Sequence, residues 1–552
     1  MHRRHDMPTL ESYDSLPYES IPITETHVEG LAALGRLFGV ATADPQRCRV
    51  LELGCAEGGN LIPMAFYLPA SRFVGIDLSA RQVQTGQRLI DRLGLGNVQL
   101  LHRDVMDGAD DLGQFDFIIA HGLYSWVPQA VRHRVLAICR SNLAAGGIAY
   151  VSWNALPGWH TRAVMRDMLL HYVRRETSPR ARLALAYRFL ETFGEGLAAE
   201  AGDLAGILRA EVAYLRQAPP SYLYHEYLVE TNEPMLFTDF MDHAQRHGLQ
   251  YVADVDLHTL LPETLGAAGR AAVAGITDRI ERIQAMDFLR ARRFHRSLLT
   301  HAATPVRAEP DGDVLRQLAF HADLTSDEEI DLASKAPQAF VTPTGARYAV
   351  KHPLAKAAAL WLASVYPDAV DYQTLYEEAA RLVTEHGEAA FAQAEPEFAA
   401  QWLELLAWGA IRPAVDARGY GFQPPERPRA HALARALIEA GSDCLPSLRH
   451  TAVHLDEAGA QLLAMLDGEH DLDALAQAMS VHLAAKGHDF EKTPRSVQVM
   501  SVPSPPAPLP PAGEGSFEKS RRDFHASEDL AVMREACARL LWTFARNGLL
   551  SP

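Results

Sequence analysis

Between Cys48 and Asn154, short runs of β-branched and aliphatic residues alternate with stretches whose apolar residues recur at helical spacing. The runs Arg49–Leu53, Arg72–Ile76, Asn97–Leu101, Phe115–Ala120 and Gly147–Trp153 predict strands. Positions such as Leu61, Met64, Ala65 and Leu68 mark one face of an intervening helix. Five βα units in about a hundred residues predict an α/β, Rossmann-like parallel sheet with right-handed crossovers. A ligand then belongs at the carboxyl ends of the strands, near the switch point.

The pattern changes after Thr161. As far as about Met235 it reads as helices only, followed by a helix at Phe237–His247 and a strand at Leu249–Asp254. A helix through Arg290 and a final antiparallel strand at Phe294–Thr300 complete the sheet, which makes 161–235 a helical insertion between strands five and six. Past His301 the stretch Phe340–Val350 reads as a hairpin, with helices from Leu354, Tyr372 and Glu397. Ile411–Phe422 reads as a second hairpin turning at Ala417-Arg418-Gly419, so this part is winged-helix-like. Helices at Leu455–Leu466, Leu472–Met479 and Leu530–Asn547 close a mostly α C-terminal region. Residues 494–515, rich in Pro, Ser and Gly, cannot bury a core and read as a disordered insertion. The expected plan is an N-terminal lid segment at 9–45 and a core at 46–160. An insertion and regulatory segment follows at 161–302, then a winged-helix-like domain at 320–425 and a helical domain at 426–552.

Composition narrows the function classes. The 552-residue chain carries a net charge of −17, which disfavours general affinity for nucleic acid or anionic membrane. Residues 321–413 hold 14 Asp and Glu against 6 Lys and Arg, so the winged part suits protein packing better than DNA. The five cysteines are scattered, without zinc spacing, so neither a disulfide framework nor a metal is expected. No apolar run is long enough for a membrane span, and the start MHRRHDMPTL has no apolar signal core. The expectation is a reduced, cytoplasmic protein.

The sharpest chemistry sits in Val50-Leu51-Glu52-Leu53-Gly54-Cys55-Ala56-Glu57-Gly58-Gly59-Asn60. An apolar strand ends in an acid, turns through glycines and opens a helix, and glycine lets the backbone approach a ligand closely. Asp77, in Phe73-Val74-Gly75-Ile76-Asp77-Leu78-Ser79, stands where a carboxylate accepts both hydroxyls of an adenosine ribose. Asp104, in His102-Arg103-Asp104-Val105, can accept from an adenine amino group. A nicotinamide enzyme would need G-x-G-x-x-G and a helix N-terminus for pyrophosphate, whereas the spacing here is Gly54-x-x-x-Gly58-Gly59. Glu52 and Glu57 suit a cationic ligand, such as the sulfonium of S-adenosylmethionine (SAM), better than a diphosphate.

Loops after strands four and five, with the upstream segment Tyr13–Ser20, should line the same mouth. Tyr124, Trp126 and Tyr18 could hold an amine substrate by cation–π attraction, or simply pack the loops. The same two readings stand for Trp153 and Trp159. His121 could orient the cofactor by a hydrogen bond or cap its strand, and Glu25, Tyr18 and Tyr124 are candidate bases.

Residues 50–60, 73–79, 103–104 and 115–122 resemble the successive motifs of class I SAM-dependent methyltransferases. The departure is Ala56, where many members have glycine. With YDSLPYES, FDFIIAHGLYSWVP, YVSWNALPGWH, His225-Glu226-Tyr227-Leu228 and Asp287-Phe288-Leu289-Arg290, the chain resembles bacterial, rickettsial-type protein-lysine methyltransferases with a methyltransferase regulatory domain. That resemblance implies SAM as cofactor, bound by Glu52, Gly54, Cys55, Ala56, Gly58, Asn60, Asp77, Leu78, Asp104, Val105 and His121. It implies methyl transfer to lysine amines of a protein, with Tyr18, Tyr124 and Trp126 at the acceptor, and leaves a homodimer possible. The alternatives are a small-molecule N- or O-methyltransferase and a SAM-sensing interaction module.

Overall fold

Strands buried on both faces should be apolar throughout, and those at the centre of this sheet are. Val50, Leu51, Phe117, Ile118, Ile119, Ile148, Ala149 and Val151 are all fully buried. The computed structural model describes residues 16–198, 200, 202–387, 391–421, 423–485, 498–500 and 526–551. They fall into two units. One gathers the described residues through Ser20 with Leu34–Asp91 and Leu95–Asp311; the other gathers Ile21–Ala33, Arg92–Gly94 and the described residues from Gly312 onward. The segment expected as one N-terminal lid at 9–45 is therefore divided between the two, and Tyr13, Asp14 and Ser15 lie outside the described residues.

The first unit is built on a seven-stranded sheet. Its strands are β1 Arg49–Leu53, β2 Arg72–Asp77, β3 Val98–His102, β4 Phe115–Ala120, β5 Leu143–Asn154, β6 Leu249–Asp254 and β7 Phe294–His301. They lie in the order β3-β2-β1-β4-β5-β7-β6. The first five are parallel, with Leu51 opposite both Val74 and Ile118, while β7 runs antiparallel to β5 and β6. This matches the parallel α/β sheet expected from the sequence, including the sixth strand and the reversed seventh.

Helices α1 Leu61–Tyr67, α2 Ala80–Leu93 and α3 Gln129–Asn142 make the crossovers. Four more form the expected insertion: α4 His160–Val173, α5 Pro179–Ala198, α6 Asp203–Gln217 and α7 Pro220–Tyr227. They close around Met165, Leu169, Leu190, Val212, Leu215 and Leu223. Helices α8 Phe237–Arg246, α9 Ala267–Val273 and α10 Arg279–Arg290 then flank β6.

Where β6, β7 and α10 meet, a fully buried His295 is clamped between Asp254 at 2.6 Å and Asp287 at 2.8 Å. Arg292 lies 2.6 Å from Asp254, so the buried charges compensate one another. Asp287 comes from the Asp287–Arg290 motif noted in the sequence, and its place is in this network.

In the second unit, Gln338–Val341 and Arg347–Val350 form the expected hairpin. Helices Pro353–Val365, Tyr372–Glu385 and Glu395–Ala407 pack around Leu362, Leu375, Phe398 and Trp402. Among the described residues, the second expected hairpin, at 411–422, does not form. Arg412–Ala414 instead pairs with Ala319–His321, and Arg418 bridges Ala369. Arg412–Ala414 is an edge strand with a remote partner, and Pro413 is tolerated because the outer edge needs no donor. Phe422 lies outside the described residues.

The last part packs helices Ala432–Glu439, Glu457–Ala464, Leu472–Ala485 and Ala526–Arg546 against Cys444–Pro446 and Ala452–His454. Most of the stretch expected to be disordered, 494–515, lies outside the described residues, but Gln498–Met500 within it forms a strand beside Ala452–His454.

Candidate functional site

At the carboxyl end of β1 the backbone turns left-handed three times, at Gly54 (φ 78°), Ala56 (φ 50°) and Gly58 (φ 77°). Glycine reaches this region freely; alanine does so at a cost of roughly 1 kcal/mol. Ala56 is thus a strained substitution and not merely a small one. What holds it is Asp77, whose Oδ2 accepts from the Ala56 amide at 2.8 Å while Oδ1 accepts from Ser79 at 2.8 Å. The carboxylate expected at the ribose therefore also latches the glycine turn to the end of β2.

Glu52 is buried beneath this turn. Its Oε1 accepts from Asn60 Nδ2 at 2.8 Å, and its Oε2 has no hydrogen-bond partner among the described residues. Burial pushes the Glu52 carboxyl up to about 8, against the Asn60 hydrogen bond and with help from Asp77. Burial also raises the Glu57 carboxyl, with Arg81 and Arg88 on α2 acting to lower it. The Cys55 thiol is buried and held well above its ordinary pKa by that burial, so it is packing and not a nucleophile.

Farther along the same edge, Leu78 and Met106 are 40% and 45% exposed just past β2 and β3, an apolar pair facing outward. Asp104 caps the turn beginning at Val105 by accepting from Met106 at 2.9 Å. His121, just past β4, pairs its Nδ1 with the Tyr150 hydroxyl at 2.9 Å and lies against that ring. The structure thus gathers Glu52, Gly54, Cys55, Ala56, Gly58, Asn60, Asp77, Leu78, Asp104, Val105 and His121 along one sheet edge.

A short strap, residues 16–20, crosses from this edge to the helical insertion. At one end Ser20 Oγ accepts from the Gly59 amide at 2.8 Å, and a Cβ on Gly59 would meet the Ser20 carbonyl at 1.9 Å. At the other end His225 on α7 donates to the Leu16 carbonyl at 2.6 Å. Tyr18, midway, faces the His225 ring at 5.6 Å. It keeps 39% of its surface exposed, and burial of the rest, then the neighbouring Glu226, holds its phenol well above the ordinary value.

The other aromatic candidates are placed differently from expectation. Tyr124 is fully buried, edge-on to Phe240, with its hydroxyl bonded to His243 Nδ1. It does not line an accessible slot, because the turn after β4 folds it under α8. Trp126 is 8% exposed and stands edge-on to Trp159. A resident cation already occupies that neighbourhood: the Arg162 guanidinium lies 5.8 Å from Trp159 and 5.5 Å from Tyr214. Trp153 is core, stacked on His295 at 4.4 Å. Glu25 belongs to the second unit, 3.7 Å from Arg412.

The residue that sequence reasoning passed over is Glu226. It sits on α7 beside Tyr18, and burial pushes its carboxyl up to about 7 even though Arg162 and Arg166 act to lower it. Arg162 donates instead to the Tyr222 hydroxyl at 2.7 Å. One residue, Glu19, separates Tyr18 from Ser20, at most about 7 Å of chain, so the strap that carries Tyr18 past Glu226 ends on the glycine turn at Gly59. The His225–Leu228 motif was its signal, but the motif alone does not say which side chain is functional.

Comparison with known proteins fits this geometry. A methyltransferase domain model matches residues 50–147, a predicted methyltransferase regulatory domain 219–301, and a PKMT C-terminal winged helix domain 426–500. An uncharacterized protein of Rickettsia prowazekii is 32% identical over 235 residues, 43% of this chain and 94% of that protein. The chain belongs to this methyltransferase family. A second uncharacterized protein of the same organism is 36% identical over 305 residues, 55% of each. One from Synechocystis is 26% identical over 272 residues, 49% of this chain and 54% of that one. The match thus spans about half the length of these two relatives. The structure of PKMT2 from Rickettsia typhi in complex with AdoHcy shares the fold at TM-score 0.78 and 23% identity, covering 97% of this chain and all of that one. Within the family plan the winged helix falls on 426–500, later than the 320–425 expected from the hairpins.

Proposed function

We propose that this chain transfers methyl groups from SAM to lysine side-chain amines of a protein. The observation that carries the reading is Glu226, a carboxyl raised to about 7 beside Tyr18 and one short strap from the glycine turn. SAM fits the residues present. Glu52 offers a buried oxygen without a partner to a cationic ligand, Asp77 a carboxylate at the strand end for ribose, and Leu78 and Met106 apolar surface for adenine. Gly54, Ala56, Gly58 and Asn60 shape the turn around it, with Asp104, Val105 and His121 beyond. When bound, SAM would supply a methyl group already activated on a sulfonium.

The chain's own work is then positioning and proton removal. A lysine ammonium has no lone pair, so it must lose a proton before it can act as a nucleophile. A carboxyl poised near 7 accepts that proton efficiently at neutral pH, whereas one at its ordinary value would be too weak a base. Tyr18 borders the approach, and Arg162 keeps Trp159 and Tyr214 ordered behind it. The PKMT name of the matched winged helix and of the Rickettsia typhi structure supports lysine as the acceptor. Five free cysteines, four of them buried, suit a reducing cytoplasm, and no helix among the described residues is long and apolar enough to cross a membrane.

The test is incubation of the purified chain with methyl-labelled SAM and cell lysate, followed by mass spectrometry of labelled proteins. Label on lysine is the expected result. Label confined to small molecules would make the chain a small-molecule methyltransferase. SAM binding without any transfer would make it a sensor.

A further inference from the structure

Composition and cysteine spacing predict no metal, yet the fold brings three histidines from distant positions to one point. His133 lies on α3; His243 lies on α8 and His247 one residue past its end, a spacing of four that puts both on one face. His243 Nε2 is 2.8 Å from His133 Nδ1, and His133 Nδ1 is 3.1 Å from His247 Nε2. The three nitrogens all lie within 4.8 Å of one another. One imidazole nitrogen carries either a proton or a lone pair, so His133 Nδ1 cannot make two good hydrogen bonds of opposite sense. Three lone pairs aimed at one ion remove that conflict. For zinc–nitrogen bonds of about 2.1 Å at roughly tetrahedral to right angles, the nitrogens stand about 3.0–3.4 Å apart, close to the separations of His133 Nδ1 from the other two nitrogens.

The surroundings have the other marks of a ligand set. A metal-bound histidine usually donates its second N–H to an oxygen, which fixes its tautomer and orientation. His243 Nδ1 faces the hydroxyl of Tyr124, a side chain fully buried and held against Phe240. Neutral imidazoles are the form that ligates. Arg132 and Arg246 act on His243; Arg132 is ion-paired with Glu233, and Arg246 lies 4.0 Å from Asp242. His133 is exposed, which leaves coordination positions open to water.

We propose that His133, His243 and His247 form a site for a divalent transition metal of the zinc class, clamping α3 to α8. Helix α3 lies in the matched methyltransferase domain and α8 in the matched regulatory domain, so the ion would tie one to the other. It would also fix Tyr124 and the turn that carries Trp126. Imidazole ligands favour zinc, cobalt, nickel and copper over calcium and magnesium.

The test uses the full chain, stripped with chelator and titrated with zinc by calorimetry, with cobalt as an absorbing stand-in. The expected result is one tight equivalent, visible absorption typical of low-coordinate cobalt, and a melting temperature raised by several degrees. His133→Ala and His247→Ala should each lose at least a hundredfold in affinity. Neither side chain is core, so the melting temperature of the stripped protein should hardly move. His2 and His5 offer other nitrogen ligands, so zinc binding of unchanged affinity in both variants would overturn the proposal, as would no tight equivalent in the parent chain.

Discussion

The two sides of the candidate site are built by different means. On the cofactor side, the turn after β1 is held by direct hydrogen bonds: Asp77 on the Ala56 amide, Asn60 on Glu52, Ser20 on the Gly59 amide. On the side proposed for the acceptor, Tyr18, Trp159, Arg162, Tyr222 and Glu226 come from three separate stretches and are held by ring packing and charge. A site of the first kind binds by shape and is insensitive to pH unless its one buried acid titrates. A site of the second kind sets its chemistry by mutual pKa shifts, so a single substitution should alter rate and pH dependence together. If this division holds, variants on one side change SAM affinity and variants on the other change turnover.

Glu226→Gln should have the largest effect. Loss of a general base costs on the order of a hundredfold or more in rate, and the pH–rate limb near 7 should vanish, while SAM affinity measured by calorimetry stays within twofold. A parallel loss of SAM affinity would show that Glu226 supports the cofactor and would erase the contrast between the two sides. Asp77→Ala comes next. It removes the proposed ribose acceptor and the latch on Ala56 together, so SAM affinity should fall at least tenfold, with the residual rate at saturating SAM far less affected. Unchanged affinity in the same titration would take Asp77 out of the site.

The same contrast explains what was legible in the sequence. The strands and the helical insertion follow from apolar periodicity, because each element carries its own pattern. The residues of the glycine turn sit within a few positions of one another, so their spacing reveals them. Tyr124 misled because an aromatic after a strand end reads alike whether it faces solvent or, as here, lies buried under α8. Glu226 and His133 could not be singled out, since neither pKa shifts nor convergent nitrogens exist until distant helices meet. The second hairpin failed for a related reason: Arg412–Ala414 is a strand in its own right, but its partner Ala319–His321 is not local.

A smaller effect tests the buried acid on the cofactor side. Burial raises Glu52 to about 8 in the folded, ligand-free chain, above its value of roughly 4.3 when unfolded. A raised folded pKa contributes stability that is full below the unfolded value and lost as pH rises through the folded one. The ligand-free chain should therefore lose stability between about pH 5 and 8, and Glu52→Gln should flatten that decline. A cation settling beside Glu52 would favour its ionised form, so SAM binding at pH 7 should release close to one proton. Calorimetry in buffers of different ionisation enthalpy reads this directly, and no net release would separate Glu52 from the charged end of the ligand.

Ala56→Gly probes the smallest term. The left-handed φ of 50° costs an alanine roughly 1 kcal/mol relative to glycine, while glycine adds back part of that as chain entropy lost on folding. The net gain should be a few tenths of a kcal/mol, a rise in melting temperature of about 1 °C or less in a chain this long. SAM affinity should be unchanged, because the Ala56 amide still donates to Asp77 from the same backbone conformation. A fall in affinity would carry more information than the expected result. It would mean that the methyl group of Ala56 itself stiffens the turn against Asp77, so that the strained residue improves binding through rigidity. In that case the cofactor side, too, would depend on a particular side chain, and the division between a backbone-built half and a side-chain-built half would not hold.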